Sequence, residues 1–207
     1  MVPKARVGIL GGGQLGSMLI RYAIDYGVDV SVMDKDQDAP CSRYTKDFTC
    51  GDPSVYDDVI SFGAGLDIIT IEKEQVNVEA LKVLERSGVK VHPSASVIGI
   101  IQDKFIQKEF LKSKSIPVVP GILVEDQAAL YRFTDRLPGC LKKCKSGYDG
   151  YGVMIVKTPE DIANAFDEPS VLEELVSIKH EISVIVSRNE AGTVECYDPV
   201  MMIFDKD

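Results

Sequence analysis

Three stretches of this sequence hold residues whose types and spacing could do chemistry. The first is GILGGGQLG, Gly8 to Gly16, where Gly11, Gly13 and Gly16 fit the G-x-G-x-x-G spacing of a phosphate-binding turn. Amides at such a turn, with the N-terminus of the helix behind it, favour an anion. The second is LKKCKSGYDGYGVMIV, Leu141 to Val156. A strand delivers Lys142, a loop from Ser146 to Gly152 holds three glycines, and a second strand leaves. With no helix behind it, such a loop acts on a polyphosphate through its amides and a lysine ammonium. The third is VLEELVSIKHEISVIV, Val171 to Val186. Its strand end, Glu173-Glu174-Leu175-Val176, can offer a carbonyl and an amide to an adenine edge, and Glu181, eight residues past Glu173, can accept from ribose hydroxyls. Each stretch has a plainer reading: a tight βα turn, a glycine-rich hairpin, and solvated glutamates. On spacing alone the plainer reading is the stronger one for the third.

The elements that must position these residues follow from periodicity. Val7–Leu10 is a short buried strand, and Leu15, Met18, Leu19, Tyr22, Ala23 and Tyr26 recur at helical spacing as one apolar stripe. Gly27 ends that helix, and Val28–Met33 is the next strand, completing a βαβ unit. Asp34 closes the second strand, near the place where an NAD fold puts its ribose-binding carboxylate. The first 40 residues alone therefore admit a dinucleotide enzyme. Alternation continues with helix 55–62, strand 67–71, helix 78–86 and strand 89–91, which predicts a parallel sheet covered by helices over about residues 1–95. A helix over 102–112 and the proline-bounded IPVVPG form a connection, 96–120. From 121 to 207 the pattern changes. Helices are predicted over 128–136 and 159–166, and strands over 139–143, 153–156, 171–175, 181–187, 193–197 and 199–204. The turn Asn189-Glu190-Ala191-Gly192 makes a hairpin, and the short connections predict an antiparallel sheet. The fold class is α/β, a Rossmann-like parallel-sheet domain followed by an α+β domain.

Composition narrows the function classes. A formal net charge of −9 makes a nucleic-acid polyanion a poor partner for the surface as a whole. No apolar run approaches the roughly 20 residues of a membrane span, and MVPKARVGIL lacks the layout of a signal peptide. The five cysteines, Cys41, Cys50, Cys140, Cys144 and Cys196, include no C-x-x-C pair, which favours reduced thiols in the cytoplasm. With only His92 and His180 as imidazoles, ligand spacing argues against zinc.

Four segments give the chain a family likeness: GILGGGQLGSM, DIITIEKEQVNVEAL, QDKFIQKEFLKSKSIPVVP and LKKCKSGYDGYG, with LEEL…EIS beyond them. In this order the chain resembles the 5-(carboxyamino)imidazole ribonucleotide synthases, ATP-grasp enzymes of purine biosynthesis. The Gly-Tyr-Asp-Gly-x-Gly loop is the most specific element of the likeness and the G-x-G-x-x-G turn the least. The resemblance implies ATP-dependent carboxylation of 5-aminoimidazole ribonucleotide with bicarbonate through carboxyphosphate, with Mg2+ as the ion on ATP and a homodimer for the full-length enzyme. It implies that the first domain does not bind NAD and that its glycine loop, with Gly13, Gln14 and Leu15, helps hold the ribonucleotide, whose phosphate is the anion. Glu72 and Glu74 fall at the family's paired-acid segment beside that site. For ATP it implies Lys104, Lys142, the loop Gly147, Tyr148, Asp149, Gly150, Tyr151, Gly152 and Val153, the adenine hinge Glu173, Glu174, Leu175 and Val176, and the ribose acceptor Glu181.

Two residues depart from the family pattern. Ser146 stands where a glycine is usual, which should stiffen the loop, and Tyr151 replaces a usual basic residue. The family's magnesium ligands are expected beyond Asp207, so the sequence reads as the N-terminal part of an ATP-grasp domain and an incomplete piece of the enzyme, with no metal ligands of its own. Other readings are a different ATP-grasp carboxylate–amine ligase, an NAD-dependent dehydrogenase, which leaves Leu141–Gly152 unexplained, and a non-catalytic nucleotide-binding module.

Overall fold

Alternation of apolar residues along the first strands decides how the N-terminal sheet is covered. In the computed structural model, which describes residues 5–147 and 151–203, Ile9 and Val32 face one side while Leu10 and Met33 face the other. The strands are β1 (Val7–Leu10), β2 (Val30–Asp34), β3 (Phe48–Cys50), β4 (Ile68–Ile71) and β5 (Lys90–His92), in the order β3-β2-β1-β4-β5. Every pairing is parallel, with Leu10 opposite both Met33 and Ile71. Helices α2 (Tyr56–Gly63), α3 (Val78–Arg86) and α4 (Ala95–Ile101) cover the Leu10 face, burying Val59, Leu81, Leu84 and Ile98 against Ile69 and Val91. Asn77 caps α3 by accepting from the Ala80 amide.

Helix α1 (Gln14–Asp25) covers the opposite face, but not with the expected stripe. Its buried residues are Gly16, Ser17 and Ile20, while Leu15, Met18, Leu19, Tyr22 and Tyr26 are exposed. The cause is local. Gly16 sits so close to Cys41 that an added Cβ would lie 2.9 Å from the thiol sulfur, so the helix approaches the sheet on its small-residue side. The strand β3, the helix α4 and, further on, the strand Gly121–Val124 also escaped the periodicity; β3 is only three residues long, and α4 begins three residues after β5.

Asp103 caps α5 (Lys104–Ser113), accepting from the amides of Phe105 and Ile106. Beyond it lies a four-stranded antiparallel sheet in the order β6-β9-β7-β8, made of β6 (Gly121–Val124), β7 (Gly139–Lys143), β8 (Val153–Val156) and β9 (Ser170–Glu174). Leu141, Val156 and Leu172 on one face meet Ala129, Leu130 and Ile162 in a second core. The helix expected at 128–136 is a short α6 (Gln127–Leu130) running into a 3-10 turn, because Phe133 leaves helical geometry. That expected at 159–166 is a 3-10 turn, Pro159–Asn164. The single strand expected at 181–187 is two, because the chain changes partner at Val184: β10 (Ile182–Ser183) pairs with β13 (Val200–Met201), and β11 (Val186–Arg188) with β12 (Val194–Cys196). The Asn189–Gly192 turn closes the β11–β12 hairpin as expected, with the Gly192 amide donating to the Asn189 carbonyl.

Candidate functional site

Pairing register on the second sheet sorts its side chains by face. Cys140, Lys142, Val171 and Glu173 share one face, because Cys140 lies opposite Glu173 and Lys142 opposite Val171. Leu141, Lys143 and Leu172 take the other face, toward the core. The adjacent lysines therefore go separate ways. Lys143 pairs with Glu168 at 2.6 Å and lies over the Phe166 ring, 4.8 Å from its centroid. Lys142 turns to the face across which α5 packs.

On that face Glu173 is held by two ammonium groups. Lys108 of α5 reaches its Oε1 and Lys142 its Oε2, each at 2.7 Å. Lys108 also donates to the Val119 carbonyl at 2.6 Å, and its side chain is only 8% exposed. Burial pushes the Glu173 carboxyl up, but the hydrogen bonds from Lys108 and Lys142 outweigh it and hold it below the usual carboxylate range. One turn earlier on α5, the Lys104 Nζ donates to the Gly147 carbonyl at 3.3 Å, while its backbone amide is tied to the Cys144 carbonyl. Thus Lys104 bears on the strand–loop junction, while Lys142, 38 residues away in sequence, is held by Glu173 on the strand that leads to it. Ser146, at that junction, has φ of 62°, and Gly152 on the far side has φ of 80°. The Gly152 carbonyl accepts from the Lys143 amide, and Tyr151 and Val153 are exposed. Tyr148, Asp149 and Gly150 lie outside the described residues.

The hinge segment separates by residue. Glu173 faces the lysines, the Glu174 amide donates to the Pro120 carbonyl, and Leu175 and Val176 are exposed. Glu181 is exposed beside β10, where its carbonyl accepts from Met202.

The glycine turn of the first sheet is occupied from within. The Gly11 amide donates to the Met33 carbonyl, and the Gly12 amide to Asp34 Oδ2 at 2.7 Å. Asp34 also accepts from Lys73 at 2.8 Å and, through Oδ1, from the Asp36 amide at 3.0 Å. Burial would raise the Asp34 carboxyl, yet these donors bring it below its ordinary value. The carboxylate that a dinucleotide fold would turn to ribose is thus consumed inside the protein. Glu72 lies against the same turn. A Cβ on Gly11, which has φ of +106°, would be 2.5 Å from Glu72 Oε2, and one on Gly13 2.6 Å from Oε1. Glu72 Oε2 is buried without a hydrogen-bond partner. Glu74 instead is exposed, and its carbonyl accepts from the Gln102 side chain. The two acids of the Ile-Glu-Lys-Glu segment therefore occupy different environments, while Gln14 and Leu15 open α1 as exposed residues.

Between the two glycine loops lies a cleft of about 270 Å³, whose lining includes Asp34, Lys35, Ser54, Lys73 and Ser146. It is open on both signs of charge and joins the ends of the first sheet to the entrance of the second loop. A larger cavity, about 810 Å³, lies against β2 and β3 and includes none of the lysines at positions 73, 104, 108 or 142. Sequence reasoning missed Lys35, Lys73 and Lys108. The signal for Lys108 was present, since it stands four residues after Lys104 and so on the same helix face. Among the described residues no group of three or more His, Cys, Asp or Glu side chains could hold a metal ion. No helix among them is long and apolar enough to cross a membrane.

Comparison with known proteins divides the chain in two. A family model described as the ribonucleotide synthetase preATP-grasp domain matches residues 4–102, and one described as the ATP-grasp domain matches residues 109–207. The chain is 36% identical over 208 residues to a phosphoribosylaminoimidazole carboxylase of Candida glabrata, covering 95% of this chain and 36% of that protein. It is 33% identical over 207 residues to an N5-carboxyaminoimidazole ribonucleotide synthase of Brucella melitensis, covering 95% of this chain and 56% of that one. A crystal structure of the Aspergillus clavatus N5-carboxyaminoimidazole synthase with ADP and 5-aminoimidazole ribonucleotide matches with a TM-score of 0.86 at 28% identity, covering all of this chain and 55% of that one. The chain thus spans about half the length, or less, of the relatives it matches.

Proposed function

The chain belongs to the N5-carboxyaminoimidazole ribonucleotide synthase family of ATP-grasp ligases, and from that premise we propose that it binds ATP and 5-aminoimidazole ribonucleotide for the family's carboxylation with bicarbonate. The observation that supports this reading is the pair of lysines flanking the glycine loop: the Lys104 ammonium lies on the Gly147 carbonyl, and Lys142, on the strand that enters the loop, is held by Glu173 on the face where α5 packs. The triphosphate would lie along that face, under the loop 147–153. Adenine would meet the backbone of Glu173 to Val176, and ribose Glu181.

The ribonucleotide would take the cleft between the loops. Its phosphate would be drawn to Lys35, Lys73 and Ser54, against the carboxylates of Asp34 and Asp52 that line the same cleft, and to the amides of the glycine turn, against that of Glu72. Gly13, Gln14 and Leu15 would border the base, Glu74 would stand at the rim, and the uncommitted Glu72 Oε2 could accept from an exocyclic amine. In the reaction a bicarbonate oxygen attacks the γ-phosphorus and ADP leaves; the carboxyphosphate formed then gives its carboxyl group to that amine, inorganic phosphate leaving as the C–O bond breaks and the amine losing a proton. The chain's own residues supply positioning and countercharge. Mg2+ would neutralise charge on the triphosphate. The described residues offer it no ligand cluster, so no step is assigned to the metal. A first unit extending through Ile101, which packs by Ala95 and Ile98 into the first core, a cytoplasmic location and a homodimer complete the proposal.

The test is ADP release by the protein with bicarbonate and 5-aminoimidazole ribonucleotide each omitted in turn. Release that depends on both supports the reading. ATP turnover indifferent to the ribonucleotide, or ATP binding unaffected by loss of Lys142, would overturn it.

A further inference from the structure

Lys108 stands apart from the residues read as touching ATP. It is almost fully buried, and its ammonium is spent on the Glu173 carboxylate and the Val119 carbonyl. Glu173 in turn is shared, one oxygen to Lys108 and the other to Lys142. Burying a lysine is costly unless it is paired, so its place beside a phosphate-facing lysine calls for a reason. Glu173 is the natural competitor of any phosphate for Lys142, because it already holds that ammonium at 2.7 Å. A Glu173–Lys142 pair alone would be neutral and would offer an incoming polyanion no net attraction. With Lys108 present, the trio retains one positive charge, and that charge sits on its exposed member: Lys142 is 33% exposed against 8% for Lys108.

Resting on the assignment of Lys142 to the phosphates, we infer that Lys108 is a positioning residue that neutralises Glu173 from behind and so leaves Lys142 available to the nucleotide. It acts through Glu173 and touches no substrate. Glu173 keeps Lys142 aligned on its strand, and Lys108 keeps that grip from becoming a full ion pair.

The inference predicts a rescue that a merely structural lysine would not show. Lys108→Met should weaken ATP binding about tenfold, on the scale of one charge removed a few ångströms behind a partly screened pair. Adding Glu173→Gln should restore affinity to within about threefold of the parent, because the competitor is gone. Lys108→Gln, which can still donate to Val119, should behave as Lys108→Met does and serves if the methionine variant does not fold. A second readout needs no nucleotide. Competitive acetylation of the ligand-free protein, read by mass spectrometry, should show Lys142 labelling fall several-fold in Lys108→Met, recover in the double variant, and leave Lys143 unchanged. A fall in ATP affinity that deepens in the double variant, or Lys142 labelling indifferent to Lys108, would overturn the inference. Correct labelling shifts with no ATP binding by the parent protein would instead overturn the ATP assignment and leave the three-residue charge arrangement standing.

Discussion

Replacing Lys142 by Met should damage ATP binding while replacing Lys143 by Met should not, although the two are neighbours with the same charge. A phosphate about 4 Å from an ammonium gains about 4 kcal/mol at an effective dielectric of 20 and about 1 kcal/mol in water. Lys142 is 33% exposed, between those limits. After discounting for solvent, about 2 kcal/mol is expected, or roughly a thirtyfold rise in Kd. Lys143 spends its charge on Glu168 and the Phe166 ring on the core side of the sheet. Its loss should cost about 0.5–1 kcal/mol of stability and leave the Kd for ATP within about twofold. Calorimetric titration with a non-hydrolysable ATP analogue measures the first effect and chemical denaturation the second. Equal losses of affinity, or a larger one at Lys143, would refute the assignment of faces and with it the position of the nucleotide.

Other perturbations test the first domain and the loop. Asp34→Ala should lower stability by about 2–3 kcal/mol, since it strips three donors of a buried acceptor, and Asp34→Asn by less, because an oxygen remains for Gly12. The Asp34 and Glu173 carboxyls are both held below their ordinary values. Their contribution is therefore complete above the unfolded-state pKa of about 4 and is lost as pH falls below it. Denaturation curves for Asp34→Asn should be flatter than the parent's in that acid range. Gly13→Ala drives a methyl to 2.6 Å from Glu72 Oε1 and should weaken 5-aminoimidazole ribonucleotide binding with little change for ATP, measured by separate titrations. Ser146→Gly should stabilise by about 0.5 kcal/mol in denaturation, because relief of a left-handed serine at φ of 62° slightly exceeds the entropy glycine adds to the unfolded chain.

Legibility in the sequence followed the range of the forces involved. Strands β7 and β8 and helix α3 have the bounds that alternation and helical spacing predict, because their faces are decided by neighbours in the same sheet or across one turn. The burial of α1 was not legible. Its hydrophobic stripe obeys helical period, but the close approach of Gly16 to Cys41, 25 positions away, chose the opposite side. The same limit applies at the candidate site. Lys142 could be singled out from local pattern, and Lys104 only through the family resemblance. The clamp on Glu173 could not, because it requires α5 to lie across β9, and no local pattern says which face of a sheet a helix will take. Lys73 was hidden for a similar reason: its partner, Asp34, lies on a different strand.

The first glycine motif shows how the same residues can serve opposite electrostatics. Gly11 and Gly13 do what glycine does in a phosphate turn, admitting a negatively charged group where a Cβ would collide. Here that group belongs to the protein. Glu72 enters on one side, and Asp34 takes the Gly12 amide on the other. Two carboxylates therefore stand close to one turn and oppose the pull of the α1 dipole on an external anion, a pull that is a fraction of a unit charge and fades within a turn. At the cleft Lys35 and Lys73 stand among Asp34 and Asp52, and at the second loop Lys104 lies on the Gly147 carbonyl while Lys142 and Lys108 share Glu173. Glycine spacing therefore reports only that something approaches the backbone closely. The sign of the nearest side chains bears on what that is, and at Gly11-Gly12-Gly13 those side chains, Glu72 and Asp34, come from outside the motif.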